Sequence, residues 1–329
     1  MTRKGWVTMA DVGRHAGVGA ITVSRALRTP AKVSAETLAR VQAAVAELGY
    51  VLDETAGALS SQRSRIVGAV VSTLEQTVFA STIRGLSEGL RAGGMQLLLG
   101  ATQYEPETEA GLISTLLGRR PEALVLTSSD HTQAAGDLLR KARVPVLELW
   151  ELPERPIHTA IGFSNRDAGR AIARHLWATG RRRAAFLGVA RPGDTRGALR
   201  MQGYRDVWGA QARVVMLPPD RGEVGPDYGA AGLAEVLTRW PDTDAVVCVS
   251  DALALGTWCE AMRRGLAIPG DLAVTGFGDF DIAGDAGLGL TTVRIDGAAI
   301  GRAAARLILE GGPPQRIDLG FQVVRRASA

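Results

Sequence analysis

The sequence predicts an α/β protein, in which a small helical segment at the N-terminus precedes two doubly wound parallel sheets. Beyond Arg65, nine short apolar runs alternate with stretches of helical periodicity, as buried parallel strands and their crossovers do. Between Met9 and Leu48, three short helical patterns are separated by glycine or polar turns. The 329 residues also exceed what one hydrophobic core usually serves. The net charge is only +4, but it is unevenly placed: nine basic residues stand against five acidic through Arg65, and 29 against 29 thereafter. A basic segment on a neutral body is the footprint of a nucleic-acid contact, or simply a solvated surface.

The first helix starts where Thr8, followed by Asp11, makes a capped entry, with Met9, Val12 and Ala16 at helical spacing and Gly17 ending it. Val18 then sits beneath a turn. Ile21 to Arg28 form a second helix, with Val23 and Leu27 inward and Ala20, Ile21, Ser24 and Arg25 outside. A third helix runs from Ser34 as N-cap through Leu38, Val41, Val45 and Leu48 on one face, to Gly49 as C-cap. This spacing fits a helix-turn-helix, and equally a three-helix bundle with no partner.

The apolar runs "IVGAVVS", "MQLLLGAT", "ALVLTS", "VPVLEL", "TAIGFS", "AAFLGV", "RVVMLP", "AVVCVS" and "LAVTGFG" read as the strands. Phe79 to Ala92, Asn165 to Thr179 and Leu253 to Arg264 read as crossover helices. Two subdomains result, about 66–164 with a C-terminal return and about 165–290. Ligands in such folds lie beyond the carboxyl ends of the strands, here in a cleft between the halves. A dehydrogenase is the first competitor, but no GxGxxG follows a strand and no GxxxxGK[ST] occurs. No GxSxG elbow is present, and His15, His131, His158 and His175 have no nucleophile or carboxylate partner by spacing. Asp251 and Asp279 read as helix caps or surface charges rather than catalytic groups. Cys248 and Cys259, the two cysteines, form neither a disulfide framework nor a zinc site, so no metal and no cofactor is expected. With no signal-peptide core and no run of about 20 apolar residues, a cytoplasmic protein without membrane contact is expected.

The segments "VTMADVGRHAGV", "TVSRAL", "VSAETLARVQAAVAELGY" and "ALSSQRSRIVGAVV" resemble, in order and spacing, the N-terminus of the lactose-repressor (LacI/GalR) family of bacterial transcription regulators. The resemblance continues through "VSDALALG" and "LAVTGFGDFDIA" over nearly the whole chain. "EQTVFASTIRG", "ALVLTSSDHT" and "IDLGFQVV" are similar to gluconate-utilisation repressors within that family. It implies a helix-turn-helix headpiece over 1–52, a hinge helix and linker over 53–65, and a periplasmic-binding-protein-like effector and dimerisation domain over 66–329. It further implies a non-enzymatic, DNA-binding repressor acting as a homodimer on a pseudo-palindromic operator; no heptad tail follows Arg326, so a zipper-made tetramer is not expected. The remaining alternative is a cytosolic sugar-binding or sugar-processing α/β enzyme, which has no need of the headpiece.

By that resemblance Ala20, Ile21 and Arg25 face base edges in the major groove, Thr8, Thr22 and Ser24 lie near phosphates, and Arg28 completes the recognition helix. Leu59, in a hinge helix from Glu54 to Ser61, wedges into the minor groove. The family usually has Ser or Thr where Gly19 stands, and Pro, Asn and Arg where Leu52, Asp53 and Gly57 stand, so phosphate contact is weakened here. The effector cleft is implied to be lined by Leu74, Phe79, Asp167, Arg200, Ser250 and Gly278. Neutral-sugar members carry an acid where Gly278 stands. Its loss beside a retained Arg200 favours a sugar-acid effector such as gluconate, unless Arg200 is instead held in an ion pair, for instance with Asp167.

Overall fold

The computed structural model describes residues 6–51, 64–74, 79–219, 224–284 and 286–329. The chain divides into two compact units, one ending at Ser64 and one beginning at Arg65. Leu59 and the expected hinge helix lie outside the described residues.

In the first unit, α1 spans Met9–Ala16, α2 Ala20–Arg28 and α3 Ala35–Leu48. The Thr8 and Asp11 pair closes a full capping box: the Asp11 amide donates to the Thr8 hydroxyl and the Thr8 amide to the Asp11 carboxylate. Gly17 and Gly49 end α1 and α3 in the left-handed conformation. Val12, Val23, Ala26, Val41 and Ala44, with Tyr50, form the shared core, to which Leu27, Leu38, Val45 and Leu48 add partly buried surface. The second helix starts at Ala20, one residue before the periodicity suggested. Gly19 serves as its N-cap and supplies no side-chain hydrogen bond.

The second unit contains both sheets. Strands β1 (Ile66–Val71), β2 (Gln96–Ala101), β3 (Ala123–Leu126), β4 (Val146–Leu149) and β5 (Thr159–Gly162) build the first lobe, with crossover helices α4 (Ala80–Ala92), α5 (Pro106–Leu117) and α6 (Gln133–Lys141). Helix α7 (Asn165–Ala178) leads into β6 (Ala184–Val189), α8 (Thr195–Trp208), β7 (Arg213–Leu217), α9 (Pro226–Arg239), β8 (Ala245–Cys248), α10 (Asp251–Arg263) and β9 (Ala273–Thr275) of the second lobe. All nine apolar runs are strands.

Three short elements escaped the sequence reading: β10 (Thr292–Arg294), β11 (Arg316–Asp318) and β12 (Gln322–Val324). At three residues each they are too short to show a period. After β10 the chain returns to the first lobe through α11 (Gly297–Glu310), which packs on α4. The approach is so close that a Cβ at Gly301 would lie 2.1 Å from the Thr82 carbonyl oxygen. The first sheet runs in the order β11-β5-β4-β3-β1-β2 and the second in the order β7-β6-β8-β9, and every pairing within both is parallel. A separate antiparallel ribbon joins β10 to β12.

A buried ionic cluster ties three first-lobe elements together. His131, ahead of α6, sets Nδ1 2.8 Å from Glu109 Oε1 on α5 and Nε2 3.5 Å from Glu148 Oε1 on β4. Burial alone would lower the His131 pKa, but the two carboxylates outweigh it and hold it at about 9. The folded value lies above the unfolded one near 6.5. The contribution of the cluster is therefore complete below pH 6.5 and is lost as the pH climbs through 9. We expect about 3 kcal/mol of stability to disappear over that window. Urea unfolding at a series of pH values checks this, since the slope should flatten in His131→Gln.

Candidate functional site

Two regions collect the residues that the sequence singled out. On the first unit, α2 presents Ala20, Ile21, Arg25 and Arg28 to solvent, and Ile21 is 71% exposed despite its hydrophobicity. Thr22 and Ser24 are half-buried on the flanks of that face. No described residue forms an ion pair with Arg25 or Arg28, which leaves two cations and a small apolar surface on one helix face. Thr8 is exposed, but its hydroxyl proton is donated to Asp11 Oδ2 at 2.6 Å. Its remaining capacity is as an acceptor, so the Thr8 side chain reaches a phosphate only by giving up its bond to Asp11.

On the second unit, a cleft of about 640 Å³, mouth included, opens at the carboxyl ends of the strands. Phe79 and Trp150 from the first lobe and Phe277 from the second form its aromatic wall. The rings of Phe79 and Trp150 meet edge-on at 5.3 Å, and Phe163 bridges Trp150 to Phe277 at 5.9 and 6.0 Å. Against this wall stand Arg191, Arg196 and Arg200, with one carboxylate among the described residues, Asp194. Burial would raise the Asp194 pKa, but Arg196 and Arg200 bring it below the ordinary value, so the group is ionised. Burial pushes the Tyr104 phenol up, which keeps it a hydrogen-bond donor at neutral pH.

Arg200 lies over the Phe277 ring at 4.1 Å and donates from one terminal nitrogen to Asn165 Oδ1 at 2.7 Å. Its Nε is buried without a partner among the described residues. Burial lowers its pKa to about 10, which still leaves it fully charged at neutral pH. Asn165 is held in turn, donating to Glu151 Oε2 at 2.6 Å and to the Trp150 carbonyl at 3.0 Å. Ser250 lines the cleft while capping α10, its Oγ accepting from the Leu253 amide.

Of the six side chains expected in this cleft, Phe79, Arg200 and Ser250 line it. Asp167 does not. It lies in the first turn of α7, exposed and paired with Arg170. Residues two apart on a helix point to opposite sides, so turning Asn165 toward Arg200 turns Asp167 to solvent. The ion pair considered between Arg200 and Asp167 is thus replaced by the bond to Asn165. Leu74 is 58% exposed and also lies apart from the cleft wall. Gly278 stands behind that wall at φ +129°, where a Cβ would lie 2.5 Å from the Phe280 ring, and it is Phe280 that faces the cavity.

Asp251 and Asp279 are neither caps nor surface charges. Asp251 is buried and accepts from the Thr292 hydroxyl at 2.6 Å and the Phe280 amide at 2.8 Å, pinning the loop that carries Phe277 and Phe280. Asp279 pairs with Arg294 and Arg326. Tyr104, Trp150, Arg191, Asp194, Arg196 and Phe277 were missed. Their common signal is position, since all lie beyond the carboxyl ends of parallel strands, in the connections or at the start of the helix that follows.

Residues 8–53 match the description "Bacterial regulatory proteins, lacI family", and residues 173–329 match a periplasmic binding protein-like domain. The chain is 34% identical to the HTH-type transcriptional regulator GntR of Pseudomonas aeruginosa, over 98% of this chain and 95% of the relative. It belongs to the lacI family. Its identity to the Escherichia coli regulator GntR is 32%, over 95% of this chain and 96% of that one. The crystal structure of a LacI-family transcriptional regulator from Silicibacter pomeroyi superposes with a TM-score of 0.88 at 31% identity, covering 98% of this chain and 99% of that chain. This lacI-family member is a DNA-binding transcriptional regulator, and the alternative of a sugar-processing enzyme falls with that assignment.

At Gly278 both the positive φ and the Phe280 ring oppose a side chain, so an acid introduced there is strained. Gly278→Ala should cost about 1–3 kcal/mol from the positive φ alone, and more from the clash with Phe280. Thermal unfolding of the variant checks the loss.

Proposed function

We infer that the chain is a cytoplasmic repressor that binds a pseudo-palindromic operator as a homodimer and is released from DNA by a sugar acid such as gluconate. The observation that supports the effector class is Arg200. Its guanidinium is seated on Phe277, uses one terminal nitrogen on neutral Asn165, and keeps a buried Nε–H without a partner among the described residues. The fork of an arginine matches a carboxylate bidentately, and a poorly hydrated site strengthens the pairing. Asp194, the one carboxylate among the described residues of the cleft wall, already faces Arg196. Among the described residues the wall offers no second acid to repel an anion, while Tyr104, Ser250 and Asp194 can meet hydroxyl groups. In this reading residues 66–329 form the effector and dimerisation domain, and residues 1–52 the headpiece.

For the operator, Arg25 is the guanine reader on an α2 face that otherwise offers Ala20 and Ile21 to thymine methyls, with Arg28 beside them and Thr8, Thr22 and Ser24 toward phosphates. Log affinity should fall linearly with log salt as Lys and Arg release counterions. Arg25→Ala should cost about 1–3 kcal/mol and relax specificity at one position in each half-site. A variant that binds specific and scrambled DNA as the parent does would remove the recognition-helix assignment.

Calorimetry tests the effector. The parent should bind gluconate and not glucose, and Arg200→Ala should lose the gluconate heat. Equal affinity for the two sugars, or undiminished gluconate binding without the arginine, discards the anion reading.

A further inference from the structure

The three arginines of the cleft are not equivalent. Arg196 starts on α8 of the second lobe yet makes its bonds to the first. One terminal nitrogen donates to the Thr127 carbonyl at 2.6 Å, the other to Ser72 Oγ at 3.1 Å, and the guanidinium lies over the Phe79 ring at 5.1 Å. Ser72 follows β1 and Thr127 follows β3, so both acceptors lie at the exit edge of the first sheet. Nε turns back to Asp194 Oδ1 at 3.4 Å within its own lobe. All three nitrogens therefore have partners, and the residue is 6% exposed.

The segment leading to Arg196 reaches across in the same way. The Arg191 guanidinium covers the Tyr104 ring at 4.5 Å. Gly193, at φ +71°, packs so that a Cβ there would meet Pro106 Cγ at 3.3 Å. Tyr104 lies in the β2–α5 connection of the first lobe and Pro106 opens α5.

We propose that residues 191–196 form a clasp between the lobes, with Arg196 as its central bond: Arg196 is a positioning residue that holds the cleft closed, and is not itself a ligand of the effector. Separating the lobes removes the two charge-assisted hydrogen bonds to Thr127 and Ser72 and exposes the face of Phe79. Among the described residues Arg200 has no contact of this kind, and its Nε is left without a partner there. The division of labour is thus between an arginine saturated by protein and one left open.

The test is hydrogen–deuterium exchange on the full chain with no ligand added, so that its outcome is independent of whether gluconate is the effector. In Arg196→Met, peptides covering 71–74, 127–130 and 189–197 should exchange at least tenfold faster than in the parent, the scale expected for losing hydrogen bonds to a charged group. Peptides from the strand centres at 67–70 and 245–248 should be unchanged. A purely structural role would instead accelerate both sets together through global unfolding. Arg196→Lys keeps the charge but cannot span both acceptors, and should restore protection in part. Should Arg196→Met fail to fold, Ser72→Ala removes one end of the clasp with little change in volume and should accelerate the same three segments alone. Parent-like protection of those segments in Arg196→Met, or in Ser72→Ala when that variant decides, overturns the proposal, as does acceleration spread evenly over both lobes.

Discussion

Parallel strand pairing is the constraint on which the arrangement of this molecule rests. A parallel sheet needs a crossover after each strand, and because its strands all run the same way every strand exit lies at the same edge. The ladder satisfies the backbone within each sheet, so the segments beyond that edge are free to take irregular conformations and display side chains. Ser72, Tyr104, Thr127 and Trp150 leave the first sheet in this way, and Arg191 to Arg196, Ser250 and Phe277 leave the second. The cleft is the meeting of the two edges. The close helix contact at Gly301 supports the same arrangement by returning the chain to the first lobe, where β11 adds the outermost strand.

Within the cleft, apolar and charged groups depend on one another. Phe79, Trp150, Phe163 and Phe277 form a row of rings that excludes water and lowers the local dielectric, which strengthens any interaction of the guanidiniums they support. The same environment makes an unpaired charge costly. Arg196 meets that cost with two oxygen acceptors from the opposite lobe and a carboxylate from its own. Arg200 meets it only in part, through Asn165 and the Phe277 face, and its incomplete pairing is what a ligand anion would complete. Asp251 acts behind the wall: by accepting the Phe280 amide, it keeps the loop of Phe277 and Phe280 in place.

The helical unit solves a different problem. Its core is small, built on Val12, Val23, Val41 and a few alanines, so ends and turns carry more of the structural specification than in the larger unit. Thr8 and Ser34 cap two of the three helices with side chains, and Gly19 leaves the third uncapped at the end where the exposed face begins.

The sequence alone determined what periodicity and end signals can encode: the three N-terminal helices with their caps, the nine long strands, the division of charge, and the family. Through the family resemblance it also singled out Phe79, Arg200 and Ser250. Tertiary structure decided the rest. The choice of Asn165 over Asp167 is a matter of helix phase, which a run such as "SNRDAG" leaves open until the helix is docked. Whether position 278 reaches the cleft depended on a positive φ and on where the Phe280 ring came to lie, and neither is written in the glycine itself. Arg196 most of all could not be assigned from its neighbours in the chain, because Ser72 and Thr127 are 124 and 69 residues away. A hydrogen bond between lobes exists only after both sheets have formed and brought their edges together.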